Sequence, residues 1–260
     1  MKHILIFLAC APTALAAGGV FDGADVVFLG ELHDNPGHHA RQATYVAEME
    51  PTALVFEMLT QAQADLVTPE VIADEAALED LLDWNESGWP DFSMYYPIFA
   101  AAPDAAVYGA AVPRDAARAA MQNGVISGFR GDAALYGLST ALPEAEQDTR
   151  EALQFAAHCD AIPEEMLPVM VDIQRLRDAE LAYSALTALE QYGAPVAVIT
   201  GNGHARRDWG APVYVTAAAP DVEIVSLGQG ETGVGEPDGV FDHVEISPAA
   251  ERGDPCDAFR

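Results

Sequence analysis

Four apolar runs of strand length, each mostly continuous rather than alternating, limit what this chain can fold into. They span residues 25–30, 53–58, 105–111 and 195–200. A strand with one wet face alternates apolar and polar side chains, whereas a continuous run suits a strand covered on both faces. Between these runs, residues 38–48, 75–85, 114–123, 144–158 and 164–192 have helical composition. Pro168 falls in the first turns of the last stretch and marks a helix start or a kink. Residues 213–217, 222–227 and 240–246 read as further strands, placed at an antiparallel edge. The expected fold is α/β: a central mixed, largely parallel sheet flanked by helices, with a helical, aromatic-rich insertion or lid.

The first residues read as a targeting segment. Lys2 gives a positive start, residues 4–11 an apolar run, and Ala14-Leu15-Ala16 an A-x-A cleavage site. Residues 1–16 are therefore expected to be removed, leaving 17–260 as one domain, exported and periplasmic. Phe7-Leu8-Ala9-Cys10 is a loose lipobox, so lipoprotein anchoring through Cys10 is the minor alternative.

Charge narrows the partners. The 41 Asp and Glu all follow the leader, lysine occurs only at Lys2, and the formal net charge is −29 at pH 7. A surface of that sign repels phosphate backbones and anionic lipid, so nucleic acid is not an expected partner. Cys159 and Cys256 would sit in a compartment where disulfides persist, and a bridge tying the C-terminal tail to the body is expected. Two isolated cysteines without CxxC spacing make a weak case for zinc or redox catalysis.

The most informative segment is Gly30-Glu31-Leu32-His33-Asp34-Asn35-Pro36-Gly37-His38-His39. A buried strand ends at Gly30, and three imidazoles follow in a turn leading into a helix that Asp34 or Asn35 can cap, with Pro36 in its first turn. A second strand delivers Glu57 at the corresponding place. A third runs into Gly201-Asn202-Gly203-His204, where glycines let the backbone approach a ligand closely. In open α/β sheets ligands bind at the carboxyl ends of the strands, where Glu31, His33, Glu57 and His204 would converge. A single loop histidine is ordinarily a surface or hydrogen-bonded residue; the combined set is what points to a ligand or metal site.

Trp84, Trp89, Phe92, Tyr95, Tyr96 and Phe99 form a cluster too irregular for one amphipathic helix, equally suited to a satellite core, a lid or ligand contacts. A phenolate from Tyr95 or Tyr96 could ligate ferric iron. Arg114 is suited to bidentate carboxylate contacts such as haem propionates. In the long helical stretch Gln174, Arg177 and Asp178 share one face, while Ile173, Leu176 and Ala179 can face the core. That face reads either as surface salt bridging or as a shell that orients the imidazoles.

Taken together, these residues resemble the ChaN family within the Tiki superfamily. The resemblance rests on Gly30 to Asp34 with His38, His39 and Gln42, on Phe56-Glu57, Tyr95 and Tyr96, and on His158-Cys159. It continues through Gln174 to Asp178 and Gly201 to His204 to the tail around Arg252 and Cys256. It implies a haem-binding, exported protein involved in iron uptake, in which tyrosine and histidine serve haem and a homodimer can hold facing haems. Carried over, Tyr95 or Tyr96 is the axial ligand and a histidine of the 33, 38, 39 set its partner, with His158 and Arg114 as further cofactor contacts.

The same superfamily includes metal-dependent proteases and esterase-like enzymes with paired GxxH turns. This implies a rival in which Glu31, His33, Glu57 and His204 hold a divalent metal ion or activate water for hydrolysis. No GxSxG elbow or HExxH helix is present.

Overall fold

The computed structural model describes residues 19–254 and 256–257. The expected leader, with its cleavage site and Cys10, lies outside the described residues. In chain order the elements are β1 (Val26–Glu31), α1 (Pro36–Met49), β2 (Ala53–Phe56), α2 (Gln61–Ala64), α3 (Pro69–Ile72), α4 (Glu75–Leu81), α5 (Phe92–Ala101) and β3 (Ala106–Gly109). There follow α6 (Arg114–Asn123), α7 (Glu144–Ala157), α8 (Leu167–Tyr192), β4 (Val196–Gly201), α9 (Asn202–Ala205), α10 (Ala211–Ala218), β5 (Ile224–Glu231) and β6 (His243–Ser247).

The strands form one sheet in the order β3-β2-β4-β1-β5-β6, and every named pair is parallel. β1, β2 and β4 are buried along their whole length, as continuous apolar runs require. Period-two alternation divides them between two cores. Val26, Phe28, Val55 and Val198 pack with Leu176, Ala179 and Ala182 of α8 on one face. Val27, Leu29, Phe56 and Ile199 pack with Tyr45, Phe92, Tyr95 and Phe99 of α1 and α5 on the other. The aromatic insertion is thus a core layer, with Phe56 and Phe99 stacked at 4.2 Å between ring centroids.

Two expectations are corrected. Residues 213–217 are not a strand but lie in α10, where Pro212 occupies the first turn. Ala211, Pro212, Tyr214 and Val215 are buried while Val213 and Thr216 face water, a helical rather than alternating pattern. The edge expected to be antiparallel is parallel: the chain leaves β5, turns back through an isolated bridge between Glu231 and Gly235, and lays β6 in the direction of β5. No helix among the described residues is long and apolar enough to cross a membrane.

The tail is tied to the body twice. Cys159, just beyond α7, is bridged to Cys256. Arg252 spans Asp34 and Glu231, 2.6 Å from each, and so fastens the tail to the turn after β1 and to the end of β5.

Candidate functional site

β1 brings Glu31 to the carboxyl edge of the sheet with its side chain fully buried. Asn35 caps α1, its side-chain oxygen accepting from the amides of Gly37 and His38 at 2.8 and 3.3 Å. That cap fixes the first turn of α1 and sends the three imidazoles of the segment to different fates.

His38 Nδ1 accepts the Leu32 amide at 2.9 Å, so the ring donates from Nε2 to the Gly230 carbonyl at 3.2 Å. Both nitrogens are spent on backbone, and burial pushes the ring's pKa down. His38 therefore welds β1 to β5. His39 donates from Nε2 to the His33 carbonyl at 2.8 Å, while Nδ1 lies 3.3 Å from Glu31 Oε2. Burial opposes its charge, but the Glu31 carboxylate outweighs burial and raises its pKa. His33 donates from Nδ1 to Glu31 Oε1 at 2.8 Å and packs edge-on against Trp89. It too is raised against burial, to about 8, by that bond and by the charges of Glu57 and Glu31.

Glu31 also accepts the Tyr95 hydroxyl at 3.0 Å. Burial favours its neutral form, yet the contacts with His33 and His39 prevail and hold it at about 2. Gln42 closes the shell by donating to the Leu29 carbonyl at 2.9 Å.

The other half of the site hangs from β2 and β4. Glu57 Oε2 accepts from the Thr200 hydroxyl and the Gly201 amide, at 2.7 and 2.8 Å. Its Oε1 faces His204 Nε2 at 3.6 Å, and His204 Nδ1 contacts Asp178 Oδ1 of α8 at 2.6 Å. A buried row of carboxylate, imidazole and carboxylate results. Burial opposes the charge on both Glu57 and His204, but their attraction, with Asp178 adding to the imidazole's side, lowers the first and raises the second. Asp178 itself is raised, because burial outweighs its bond to His204.

Both halves meet. Glu31, His33, Asp178 and His204 line one crevice of about 560 Å³, whose walls include Leu32, Leu153 and Val171. Across it stands Trp209, with the guanidinium of Arg206 3.8 Å and that of Arg150 4.9 Å from the ring centroid. Glu57 faces a second cavity of about 300 Å³, lined also by Trp89, Arg114 and Arg177.

The remaining candidates lie elsewhere. Tyr95 is fully buried against Glu31, and Tyr96 donates to the Ile72 carbonyl at 3.0 Å, so neither hydroxyl lines the crevice. His158 ends α7, with Nδ1 donating to the Gln154 carbonyl at 2.7 Å, and is not among the lining residues. Arg114 faces the smaller cavity. The divalent-metal alternative finds no support: among the described residues no group of three or more His, Cys, Asp and Glu is disposed to hold a metal ion. The imidazoles and carboxylates are aimed at one another rather than at a common centre.

Arg150, Arg206 and Trp209 were not legible as crevice walls. The only hint in the sequence was arginine placed close to the second glycine turn in a chain so short of cations.

These features define an all-parallel α/β protein with a crevice built by paired Gly-x-x-His turns at the carboxyl edge of the sheet. The chain belongs to the ChaN family of the Tiki superfamily, whose family model, described as haem-binding uptake, matches residues 20–215. Among solved structures, the fold is similar to that of ChaN of Campylobacter jejuni, described with cofacial haem binding. The TM-score is 0.57 at 17% identity, over 79% of this chain and 81% of that one. The type III effector HopBA1 aligns over 87% of this chain and 88% of its own, with a TM-score of 0.46 and 13% identity. No curated protein matches the chain.

Proposed function

We propose that this chain binds haem in the larger crevice, as an exported protein of haem or iron uptake. Haem brings a flat apolar ring, two carboxylates and an iron that accepts an imidazole or phenolate as axial ligand. The residues present fit that group. Of the histidines in the two turns, His33 alone has a ring nitrogen with neither a hydrogen-bond nor an ion-pair partner among the described residues, and it lies at the crevice wall. Because Nδ1 donates to Glu31, Nε2 is the nitrogen that would give up its proton, held at about 8, and offer its lone pair to the iron. Leu32, Leu153 and Val171 supply apolar wall, and Arg150 and Arg206, paired with Glu146 and Asp208, line it beside Trp209.

Uncommitted His33 Nε2, in a chain of the ChaN family, is the observation that carries the reading. Export is supported by the leader-like segment and by a disulfide of the kind that persists in oxidising compartments. A homodimer with facing haems belongs to the same proposal.

A hemin titration of the purified protein tests it. A saturable Soret shift, lost in His33→Ala and kept in Tyr95→Phe and Tyr96→Phe, is expected. Loss in Tyr96→Phe with His33→Ala unaffected would move the ligand to the tyrosine, and no saturable shift at all would end the haem reading.

One observation favours a second reading. The Asp178–His204–Glu57 row, beside a cationic His33, places an ionised carboxylate and two hydrogen-bond donors together, the parts of a hydrolytic site without metal. Glu57 Oε1 would take the proton of an attacking water, and the imidazoles would face the developing oxyanion. Ester or peptide hydrolysis lost in Glu57→Gln, with the hemin response unchanged, is its signature.

A further inference from the structure

Arginine is scarce in this chain and carboxylates are abundant, so an arginine without a carboxylate is unusual. Among the described residues, every arginine except Arg114, Arg118 and Arg177 lies within ion-pair distance of an Asp or Glu. Two of those three, Arg114 and Arg177, line the same cavity of about 300 Å³ although they come from different helices.

The side-chain acceptors in the lining are already engaged by other groups. Gln63 is committed, its oxygen to the Thr60 amide and its nitrogen to the Leu82 carbonyl. Ser87 is likewise committed, donating to the Trp84 carbonyl and accepting from the Trp89 amide. Glu57 is the only carboxylate in the lining, and it is engaged by Thr200, Gly201 and His204. The α6 helix also starts here. Its cap position is Pro113, which supplies no side-chain bond, and in the first turn only the Ala116 amide donates to a side chain, that of Asp115. The unclaimed amides of the first turn add a partial positive charge beside Arg114.

From this we infer that the smaller cavity is an oxyanion site, in which Arg114 and Arg177 bind the carboxylate or phosphate of a small molecule. The site does not depend on haem binding in the larger crevice. Its cations are guanidiniums, whose planar donor forks suit bidentate contacts with an oxyanion.

Inorganic phosphate and acetate are the probes, titrated calorimetrically into the purified protein at low ionic strength with chloride as background. The net charge of −29 repels anions, so saturable uptake requires a local site. Saturable binding is expected in the wild type, weakened roughly tenfold or more in Arg114→Gln or Arg177→Gln, the size of a lost charge-assisted hydrogen bond, and absent in the double variant. Arg118→Gln removes an equal charge from the same helix outside the cavity and is expected to bind like the wild type. All three arginines are exposed, so the fold should survive each change, as unchanged thermal melts would show.

Absence of saturable binding in the wild type overturns the inference, as does equal weakening by Arg118→Gln or persistence in the double variant. Phosphate that competes with hemin identifies haem propionate as the group the site takes. Binding without competition identifies a separate small oxyanion. Failure of hemin to bind leaves the phosphate result standing by itself.

Discussion

Replacing Glu231 by glutamine should remove a stability increment that depends on pH. Glu231 ends β5 with its side chain fully buried. It accepts from Arg252 Nη1 and Nη2 at 2.6 and 2.7 Å, from Asn35 Nδ2 at 2.6 Å and from the Ala250 amide at 3.0 Å. The Arg252 bonds, helped by the other donors, hold the carboxyl at about 2 against a usual 4.5. At about 1.4 kcal/mol per pKa unit, that difference is worth about 3 kcal/mol in the charged state. Arg252 is about a third exposed, which screens its share and brings the figure to about 2–3 kcal/mol. A depressed carboxyl pKa stabilises the fold fully above the unfolded value of about 4.5, and the gain is lost as pH falls towards 2. Urea denaturation of wild type and Glu231→Gln should therefore show a gap of about 2–3 kcal/mol at pH 7, shrinking to about half or less at pH 3. A gap of the same size at both pH values would refute the reasoning, because it would come from packing geometry and not from charge. No gap at pH 7 would show that the tail clamp contributes nothing to stability.

Cys159→Ser should destabilise by up to about 4–5 kcal/mol on the chain-entropy model, since the bridge joins residues 97 apart in sequence. Calorimetry should show the melting temperature lowered by about 10 °C or more; a change within about 2 °C would mean that the tail is held by Arg252 alone. Tyr95→Phe removes one donor to the buried Glu31 and should cost about 1 kcal/mol in urea while leaving the circular dichroism spectrum intact. Gly30→Ala would place a methyl 2.7 Å from the Leu227 carbonyl and 2.6 Å from Asn202 Oδ1, and should cost at least about 1–3 kcal/mol. Denaturation of that variant indistinguishable from wild type would show that the centre of the sheet has room there.

The first four strands were legible because strands of a covered parallel sheet carry continuous apolar runs, and those runs stood between helical stretches that the structure keeps almost at the same boundaries. Residues 213–217 were misread because a short apolar run fits either element; here Pro212 and the burial of Tyr214 and Val215 decide for helix. The direction of β6 was not legible, since it depends on how 232–242 turns back rather than on any residue in the strand. Within the site, pattern alone could bring Glu31, His33, Glu57 and His204 to one edge of the sheet. It could not separate His33 from His38 and His39, whose roles depend on the Gly230 carbonyl and the Glu31 carboxylate across the fold. Nor could it separate Tyr95 from Tyr96. Neighbours on a helix point to different sides, and only the packing of α5 shows that one meets Glu31 and the other Ile72.

The pairing of the two Gly-x-x-His turns has a mechanical basis. β1 and β4 lie side by side with Gly30 opposite Thr200 and Glu31 opposite Gly201. Gly30 leaves the space that Asn202 of the second turn occupies. From there Asn202 donates to the Gln229 carbonyl at 2.8 Å and accepts its amide at 2.9 Å, fixing the second turn to β5. In the reverse direction, a Cβ on Gly201 would sit 3.0 Å from His33 Nε2, so the glycine of the second turn makes room for the imidazole of the first. Each turn therefore needs the glycine of the other, and neither could drift alone without closing the space its partner uses. The ring nitrogen proposed to meet the ligand is positioned as much by Gly201 as by Glu31, and a substitution in either turn acts on His33 whether or not it touches what binds there.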